Sequence, residues 1–207
     1  MKVATPRDAA SLLIVRTHRG KHQVLMGRRP SKDRFMPDIY VFPGGRVDPV
    51  DAVVPVTSNL PKRQIARFGT SVSERRVRMI AVAAVRETYE ETGLVIGERT
   101  RGELRPNLRG LEYIARAITP TQSEIRYHAR FFMIRAEESS GRIKSNGELL
   151  EMNWLSFDEA RKAASVDVTL AVLDEAEHRL SGGRFRGVPL ICYRNGIIQR
   201  RYRMDRD

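Results

Sequence analysis

The stretch from Ser71 to Gly93 constrains the fold most, because it predicts one long helix. Ser71 followed three residues later by Glu74 forms a capping-box pattern, with Ser71 as the N-cap residue. Gly93 is typical of the position just beyond a helix end. Between these limits, apolar side chains recur at helical spacing and predict the face that packs on the core: Val82, Val85 and Tyr89.

Three acids lie near the end of this predicted helix. Glu87, Glu90 and Glu91 are spaced i, i+3 and i+4, which places them on one helix face. The helix macrodipole is negative at this end, so clustered carboxylates are unfavourable without a cation. A hard divalent ion, Mg²⁺ or Mn²⁺, prefers oxygen ligands and keeps waters, and Arg86 is available to orient or neutralise one carboxylate. The alternative is a solvated acidic patch paired with neighbouring bases.

A glycine turn precedes this helix in the sequence. The apolar segment Ile39–Phe42 predicts a short strand that stops at Pro43, Gly44 and Gly45. Glycine permits unusual dihedrals and close approach of a ligand to the backbone. The following residues, Arg46 to Thr70, contain three prolines and no clear period, which predicts an irregular excursion. A long loop inside a compact domain is usually functional or mobile.

The remaining patterns predict strands and helices without regular alternation. Ala10–Arg16 and Gln23–Arg28 are predicted to form a hairpin. The later elements are predicted strands at Leu111–Ile118, Tyr127–Arg135 and Glu151–Leu155, helices from about Phe157 and over Val168–Leu180, and two short strands around Leu190 and Ile197 flanking a turn at Arg194–Gly196. This interspersed order favours a mixed sheet with helices packed on it, an α/β chain of the α+β type.

The length and charge bound the class of protein. The chain has 207 residues, which suits one domain, and 37 basic against 25 acidic residues give a net charge of +12. Such a surface attracts anions, including nucleic acid. However, the sequence lacks a zinc-ligand pattern and an RNA-binding aromatic signature. No apolar run is long enough for a bilayer span, and the single Cys192 fits a reducing cytoplasm.

The acids and the glycine turn together resemble the Nudix box. Gly45 matches its first glycine. The second half is matched at the correct internal spacing by Arg86, Glu87, Glu90, Glu91, Gly93 and Leu94. The chain departs from the box at Asp51, where Glu is expected, and at Thr88, where an aliphatic residue is expected. The usual seven-residue spacer is replaced by 34 residues, Ala52 to Val85.

The flanking segments resemble one branch of the Nudix superfamily, which has a long insertion in the box and includes coenzyme A diphosphatases. The segments that carry this resemblance are Arg28–Pro30, Phe35–Pro37, Val41–Gly45, Asp48–Asp51, Ile118–Pro120 and Arg126–Phe132. Trp154–Ala160 resembles the strand-to-helix segment that follows the box in many Nudix enzymes. The resemblance implies a Nudix-like α/β/α sandwich with a mixed sheet and a loop-helix-loop catalytic motif. It also implies a single domain over residues 1–207, with the insertion at about 52–72.

The resemblance implies a metal-dependent hydrolase that cleaves a diphosphate linkage in a nucleoside diphosphate derivative. Coenzyme A or acyl-CoA is the first substrate hypothesis, and ADP-ribose, nucleotide sugars and dinucleotides are the alternatives. A Nudix-fold nucleotide- or RNA-binding regulator without catalysis is an alternative of another class. The expected partner is a small-molecule diphosphate; a homodimer is compatible with the resemblance, because relatives often dimerise.

The resemblance also assigns roles to residues. Glu87, Glu90 and Glu91 are expected to bind the metal, with Gly45 shaping the adjoining loop and Arg86 completing the catalytic motif. Two later acids are candidates for the general base or an extra ligand, or else are surface acids: Glu148 and Glu151. The candidates for phosphate binding, or else surface charge, are Arg28, Arg46, Arg126 and Arg130, together with the turn glycines Gly44 and Gly45. Asp51 is either a weaker ligand or part of the excursion.

Overall fold

The central strand of the protein is buried on both of its faces. The computed structural model describes residues 4–32, 37–164, 166–194 and 197–202. In the strand β1, Arg7–His18, alternate side chains point to opposite sides of the sheet. Leu12 and Ile14 pack into one apolar cluster, and Leu13 and Val15 pack into a second cluster on the other side. The sheet must therefore be covered by helices on both faces.

The sheet is mixed, as the sequence predicts. After β1, the strands are β2 (Lys21–Arg28), β3 (Tyr40–Val41), β4 (Gly44–Arg46), β5 (Gly97–Thr100), β6 (Glu103–Pro106), β7 (Glu112–Ile118), β8 (Tyr127–Arg135), β9 (Leu150–Ser156), β10 (Pro189–Arg194) and β11 (Ile197–Tyr202). The large sheet has the order β11-β10-β7-β8-β1-β2-β3, with β4 paired to β1 and β9 paired to β2. β1 lies parallel to β8 and β10 lies parallel to β7, whereas β1–β2 and β7–β8 are antiparallel.

The helices form two outer layers, which confirms the three-layer sandwich. They are α1 (Lys62–Ile65), α2 (Glu74–Thr92), α3 (Phe157–Ala163) and α4 (Asp167–Leu180). Helix α2 contributes Ile80 and Val85 to the cluster on one side of the sheet. Helices α3 and α4 contribute Phe157 and Leu173 to the cluster on the other side. No helix among the described residues is long and apolar enough to span a membrane.

Helix α2 ends where the sequence predicts but begins two residues later. Ser73, not Ser71, is the N-cap residue, and its hydroxyl accepts a hydrogen bond from the Arg76 backbone N–H at 3.3 Å. Gly93 adopts a left-handed conformation, with φ of 72°, and ends the helix. The predicted start was wrong because both serines lie before a polar first turn, and only the geometry selects between them.

The core face of α2 also differs from the prediction at one position. Tyr89 is only half-buried, and the Arg99 guanidinium lies 5.2 Å from its ring centroid. Thr88 and Thr92 are fully buried in its place. Their hydroxyls donate to backbone carbonyls one turn earlier, at 2.7 Å to Ala84 and 2.6 Å to Thr88. Because each hydroxyl is satisfied within the helix, threonine replaces an apolar residue at these positions at little cost.

The segment after the glycine turn is largely irregular, as predicted, but it packs into the core instead of leaving it. It contains short 3₁₀ turns at Pro49–Ala52 and Ala66–Phe68 as well as α1. Phe68 is fully buried and stacks on Tyr113, with ring centroids 4.0 Å apart. The sequence did not predict this packing, because the segment contains prolines and has no helical period. Each short turn contributes only one or two core residues.

Other strand predictions agree within a few residues. The predicted strand Ile39–Phe42 is reduced to β3, and the hairpin of β5 and β6 was not predicted. The turn predicted at Arg194–Gly196 includes Asn195 and Gly196, which lie outside the described residues, as do Phe35 and Met36 of the resembling segments. The strands that flank this turn pair antiparallel, with Arg194 opposite Ile197.

Replacing Phe68 tests whether the insertion carries part of the core. We expect Phe68→Ala to lower the free energy of unfolding by about 3–5 kcal/mol, since it removes a fully buried ring from its stack on Tyr113. Val53→Ala is the matched control in the same segment, because Val53 is 75% exposed, and its effect should stay within about 0.5 kcal/mol. Urea unfolding measures both variants, and equal small effects would contradict this role for the insertion.

Candidate functional site

The glycine turn and the end of α2 are in direct contact. β4 pairs with β1 so that Gly44 lies opposite Ser11 and Gly45 opposite Ala10. The Gly44 backbone N–H donates to Glu91 Oε2 at 2.8 Å. A Cβ atom at Gly45 would lie 2.4 Å from the Glu87 carboxyl carbon, so only glycine permits this approach. The box pattern therefore brings its two halves together despite the long spacer.

Arg86 connects the acids of the helix with the segment that follows the turn. Its Nε donates to Asp51 Oδ1 at 2.8 Å and its Nη2 to Asp51 Oδ2 at 3.2 Å. Nη1 donates to Glu87 at 2.8 Å and to Glu90 at 3.0 Å, and Nη2 donates to the Arg46 carbonyl at 3.0 Å. Burial alone would lower the pKa of Arg86, but these carboxylates raise it above its ordinary value.

Asp51 serves as the buried partner of Arg86. Its side chain is fully buried, and its second oxygen also accepts from the Asp48 backbone N–H at 2.7 Å. It does not line either of the cavities described below. The aspartate at this box position therefore accepts from Arg86 and from the Asp48 backbone and takes no part in lining the cavities.

A polar cavity of about 520 Å³, here called the acidic pocket, opens beside the helix end. Glu87, Glu91 and the exposed Glu148 line it together with the basic residues Arg29 and Arg46. Its full lining is Arg29, Pro30, Lys32, Gly44, Gly45, Arg46, Glu87, Glu91, Asn146, Gly147, Glu148 and Leu149. Carboxylates and bases thus face one space, which suits a cation together with an anionic group.

The two helix acids in the acidic pocket lack full neutralisation. Burial raises the pKa of Glu91 to about 8, and Glu87 and Glu148 add to the rise, although the Gly44 N–H and Arg29 oppose it. Burial also raises the pKa of Glu87, against the effect of Arg86. A divalent cation would supply the missing positive charge, and oxygen donors of this kind match Mg²⁺ or Mn²⁺. The donor chemistry therefore fits such an ion.

The acids are held by protein hydrogen bonds rather than arranged around a common point. Among the residues that the structure describes, no three acidic, histidine or cysteine side chains form a group that could hold a metal ion as they stand. Glu87 and Glu90 accept from Arg86, while Glu91 accepts from Gly44. Glu90 is 46% exposed and lies outside the lining of the acidic pocket. Metal binding at these residues stays a prediction.

Arg28 and Glu151 pair with each other outside both cavities. Arg28 Nη2 donates to Glu151 Oε1 at 2.6 Å, and the Tyr40 hydroxyl donates to Glu151 Oε2 at 2.9 Å. Arg28 Nη1 also donates to Asp38 at 2.7 Å. The hydrogen bonds from Arg28 and Tyr40 lower the pKa of the exposed Glu151. The structure places Glu148, not Glu151, at the acidic pocket.

Arg126 and Arg130 also lie away from the cavity linings. Arg126 donates to the carbonyls of Ala4, at 2.6 Å, and Thr119, at 3.2 Å. Arg130 is fully buried and donates to Asp8 at 2.5 Å. Side chains alternate along β8, so the face that carries Arg130 is opposite the face that lines a cavity. Their predicted phosphate-binding role is therefore not supported by their position.

Sequence reasoning missed two bases of the acidic pocket, Arg29 and Lys32. Arg29 lies in the resembling segment Arg28–Pro30, but the sequence gave no means of choosing which of the two arginines faces the site. The structure distinguishes the two arginines. Arg28 is the last residue of β2, whereas Arg29 is the first residue of the loop that borders the acidic pocket.

A second cavity of about 320 Å³, here called the apolar pocket, adjoins the acidic pocket. The two share four residues: Arg29, Gly44, Gly45 and Arg46. The other lining residues are Ala9, Ser11, Ile39, Val41, Phe42, Ala117, Ile118, Thr119, Ser123, Tyr127, Ala129, Phe131, Val166, Val168, Thr169 and Tyr193. No local sequence motif predicts this cavity, because its lining residues come from strands and helices that are far apart in the sequence.

Comparisons with known proteins agree with this architecture. Residues 77–173 match the NUDIX domain family. A Nudix hydrolase structure from Alicyclobacillus acidocaldarius has 23% identity and a TM-score of 0.64, covering 87% of this chain and 97% of that one. The NUDIX domain of Shewanella oneidensis NrtR, in complex with ADP ribose, has 12% identity and a TM-score of 0.54, covering 86% and 90%.

A third similar structure is a binary complex of the Ap4A hydrolase from C. elegans. It has 18% identity and a TM-score of 0.50, covering 85% of this chain and 98% of that one. At these identities, the structural likenesses establish the fold. None of the curated proteins compared matches the sequence.

The raised pKa of Glu91 predicts how stability depends on pH without a divalent cation. The folded protein holds this proton more tightly than the unfolded chain, whose carboxyl has an ordinary pKa of 4.5. The stability from Glu91 is therefore complete below about pH 4.5 and is lost as pH rises through about 8. The slope from one proton is at most about 1.4 kcal/mol per pH unit.

Urea unfolding between pH 5 and 8.5 in a chelator measures this effect. We expect the wild type to lose stability toward high pH more steeply than Glu91→Gln, because the amide does not titrate. Added Mg²⁺ should restore stability at high pH in the wild type but not in the variant. Parallel pH profiles for the two proteins would contradict the prediction.

Proposed function

We propose that this chain is a Nudix-type, metal-dependent hydrolase of a diphosphate linkage in a nucleoside diphosphate derivative, since residues 77–173 match the NUDIX domain family and the fold is similar to that of a Nudix hydrolase. The single observation that carries the proposal is the acidic pocket. There Glu87 and Glu91 lie against the glycine turn and face the same cavity as Arg29, Lys32 and Arg46. Acids for a cation and bases for phosphate oxygens are thus present in one site.

Mg²⁺ or Mn²⁺ would be held by Glu87, Glu90 and Glu91, with Glu148 as a further acid in the pocket. When bound, the ion would neutralise phosphate charge and lower the pKa of attacking water. Glu90 is included in this set from the resemblance to the Nudix box, and its carboxylate and that of Glu87 accept from the same Arg86 nitrogen, at 3.0 and 2.8 Å. Arg86 therefore sets the positions of two of the three helix acids.

Phosphate oxygens would be bound by the bases on the other side of the pocket. Arg29 and Arg46 offer guanidinium groups, whose planar donors match phosphate geometry. Gly44 and Gly45 line the pocket, and their lack of side chains lets Ser11 and Glu87 lie close to the turn. The net charge of +12 would raise the local concentration of anionic substrates.

Glu148 is the better candidate for the general base. It lines the acidic pocket, so its carboxylate could accept the proton of an attacking water. Glu151 is occupied by Arg28 and Tyr40, which stabilise its charged form and make it a weaker proton acceptor. We therefore propose that Glu151 holds its strand, β9, beside Arg28 and takes no part in the chemistry.

The identity of the organic group attached to the diphosphate is a separate, more specific proposal. Coenzyme A or acyl-CoA is proposed from the resemblance of the flanking segments, and ADP-ribose, nucleotide sugars and dinucleotides are the alternatives. Similar structures include a NUDIX domain with ADP ribose and an Ap4A hydrolase, which keeps the alternatives in the same class. A cytoplasmic location is proposed from the single cysteine, and one domain over residues 1–207 from the extent of the resemblance.

Replacing the pocket acids by glutamine tests the proposed chemistry. We expect Glu87→Gln and Glu91→Gln each to lower kcat for Mg²⁺-dependent hydrolysis by at least about 100-fold, since each removes a charge that faces the cation and phosphate. Glu148→Gln should lower kcat by a similar factor if it is the base. The assay separates the two phosphorylated products released from coenzyme A, ADP-ribose and a dinucleotide, tested side by side.

The matched control is Glu98→Gln, an exposed glutamate on β5 outside both cavities, which should keep full activity. Circular dichroism of each variant verifies the fold. Unchanged turnover in both Glu87→Gln and Glu91→Gln would overturn the enzymatic proposal. Tight nucleotide binding without release of products from any substrate would favour the non-catalytic regulator.

A further inference from the structure

The floor of the apolar pocket is a row of three alanines across adjacent strands. Ala129 on β8 lies opposite Ala9 on β1 and opposite Ala117 on β7. All three line the pocket, so their methyl groups point to the same face of the sheet. Because large side chains are missing at these three neighbouring positions, the sheet surface is open to a ligand there.

The walls above this floor are aromatic and aliphatic. Phe42 and Phe131 contact each other edge to face, with centroids 6.4 Å apart. Tyr127 and Tyr193 add two further rings, and Val168 closes the side formed by α4. Flat, apolar surfaces of this kind bind the face of a planar or apolar group by contact and by exclusion of water.

The pocket offers few groups that could distinguish the edges of such a ligand. Among the described residues that line it, there is no Asp, Glu, Asn, Gln or His. Apart from Arg29 and Arg46, its polar side chains are hydroxyls. Thr119 already bonds the backbone of Tyr127, and the Tyr193 hydroxyl bonds Asp167 at 3.1 Å. The remaining hydroxyls both donate and accept, so they do not distinguish a donor edge from an acceptor edge: Ser11, Ser123, Tyr127 and Thr169.

The apolar pocket also has a fixed position relative to the proposed chemistry. It shares Arg29, Gly44, Gly45 and Arg46 with the acidic pocket. A ligand whose phosphate lies beside these residues would extend its organic group over the alanine row. One ligand would therefore place its phosphate in the acidic pocket and its organic group in the apolar pocket.

We propose, on the basis of the proposed function, that the apolar pocket binds the organic group of the substrate by its apolar face and does not select among nucleobases by their edges. Substrates with different bases are then bound with similar affinity. A phosphorylated sugar without a base is bound weakly, because the alanine row and the aromatic walls stay uncovered.

Calorimetric binding of monophosphates in Mg²⁺ tests the proposal without any hydrolysis. We expect AMP, GMP and UMP to bind with dissociation constants within about fivefold of one another. Ribose 5-phosphate should bind at least about tenfold more weakly, because burying one face of a base supplies that much affinity. Monophosphates contain no diphosphate linkage, so failure of the enzymatic proposal and failure of this proposal give different results.

The second part of the experiment fills the apolar pocket with a larger side chain on its floor. Ala129→Leu should weaken AMP binding about tenfold, to the level of ribose 5-phosphate, and leave ribose 5-phosphate itself unchanged. Ala129→Ser at the same position adds little volume and should keep wild-type affinities. If the leucine variant does not fold, Val168→Phe fills the same pocket from α4.

Three outcomes would overturn the proposal. The first is equal binding of AMP and ribose 5-phosphate by the wild type. The second is a preference of more than about tenfold for one base, which would show that edges are distinguished. The third is unchanged AMP binding by a folded variant with a filled pocket.

Discussion

The ion pair between Arg86 and Asp51 holds the two halves of the site together. Asp51 lies before the long insertion and Arg86 lies on α2 after it, yet two hydrogen bonds of 2.8 and 3.2 Å join their side chains. The same guanidinium positions Glu87, Glu90 and the Arg46 carbonyl. Because Asp51 is fully buried, loss of Arg86 would leave its charge without an ionic partner, which costs about 3–5 kcal/mol.

Local sequence patterns predicted the parts of the fold that depend on short spacing. The end of α2 at Gly93 and the strand Tyr127–Arg135 agree with the structure. The start of α2 was ambiguous because two serines fit the cap. The anchoring of Phe68 was hidden because its partner Tyr113 lies on a distant strand, and no local period links them.

The shared face of the three helix acids was predictable from spacing alone, whereas Gly44, Gly45, Arg46 and Glu148 were candidates through the resemblance. Glu87, Glu90 and Glu91 share a helix, so their spacing sufficed. The choice among arginines required the register of the sheet, since Arg130 and Ala129 are neighbours in sequence but face opposite sides of β8. The apolar pocket required three strands in register, which only the folded chain brings together.

The sheet separates the two tasks that the site would perform. The acids belong to α2 on one side, whereas the alanine row and α4 build the apolar pocket on the other. The strand β4, with Gly44, Gly45 and Arg46, borders both cavities. Substitutions on the apolar side can therefore change which organic group fits while the helix acids keep their hydrogen bonds. Substitutions of Gly45 affect both sides, because its missing side chain is what admits Glu87 to the turn.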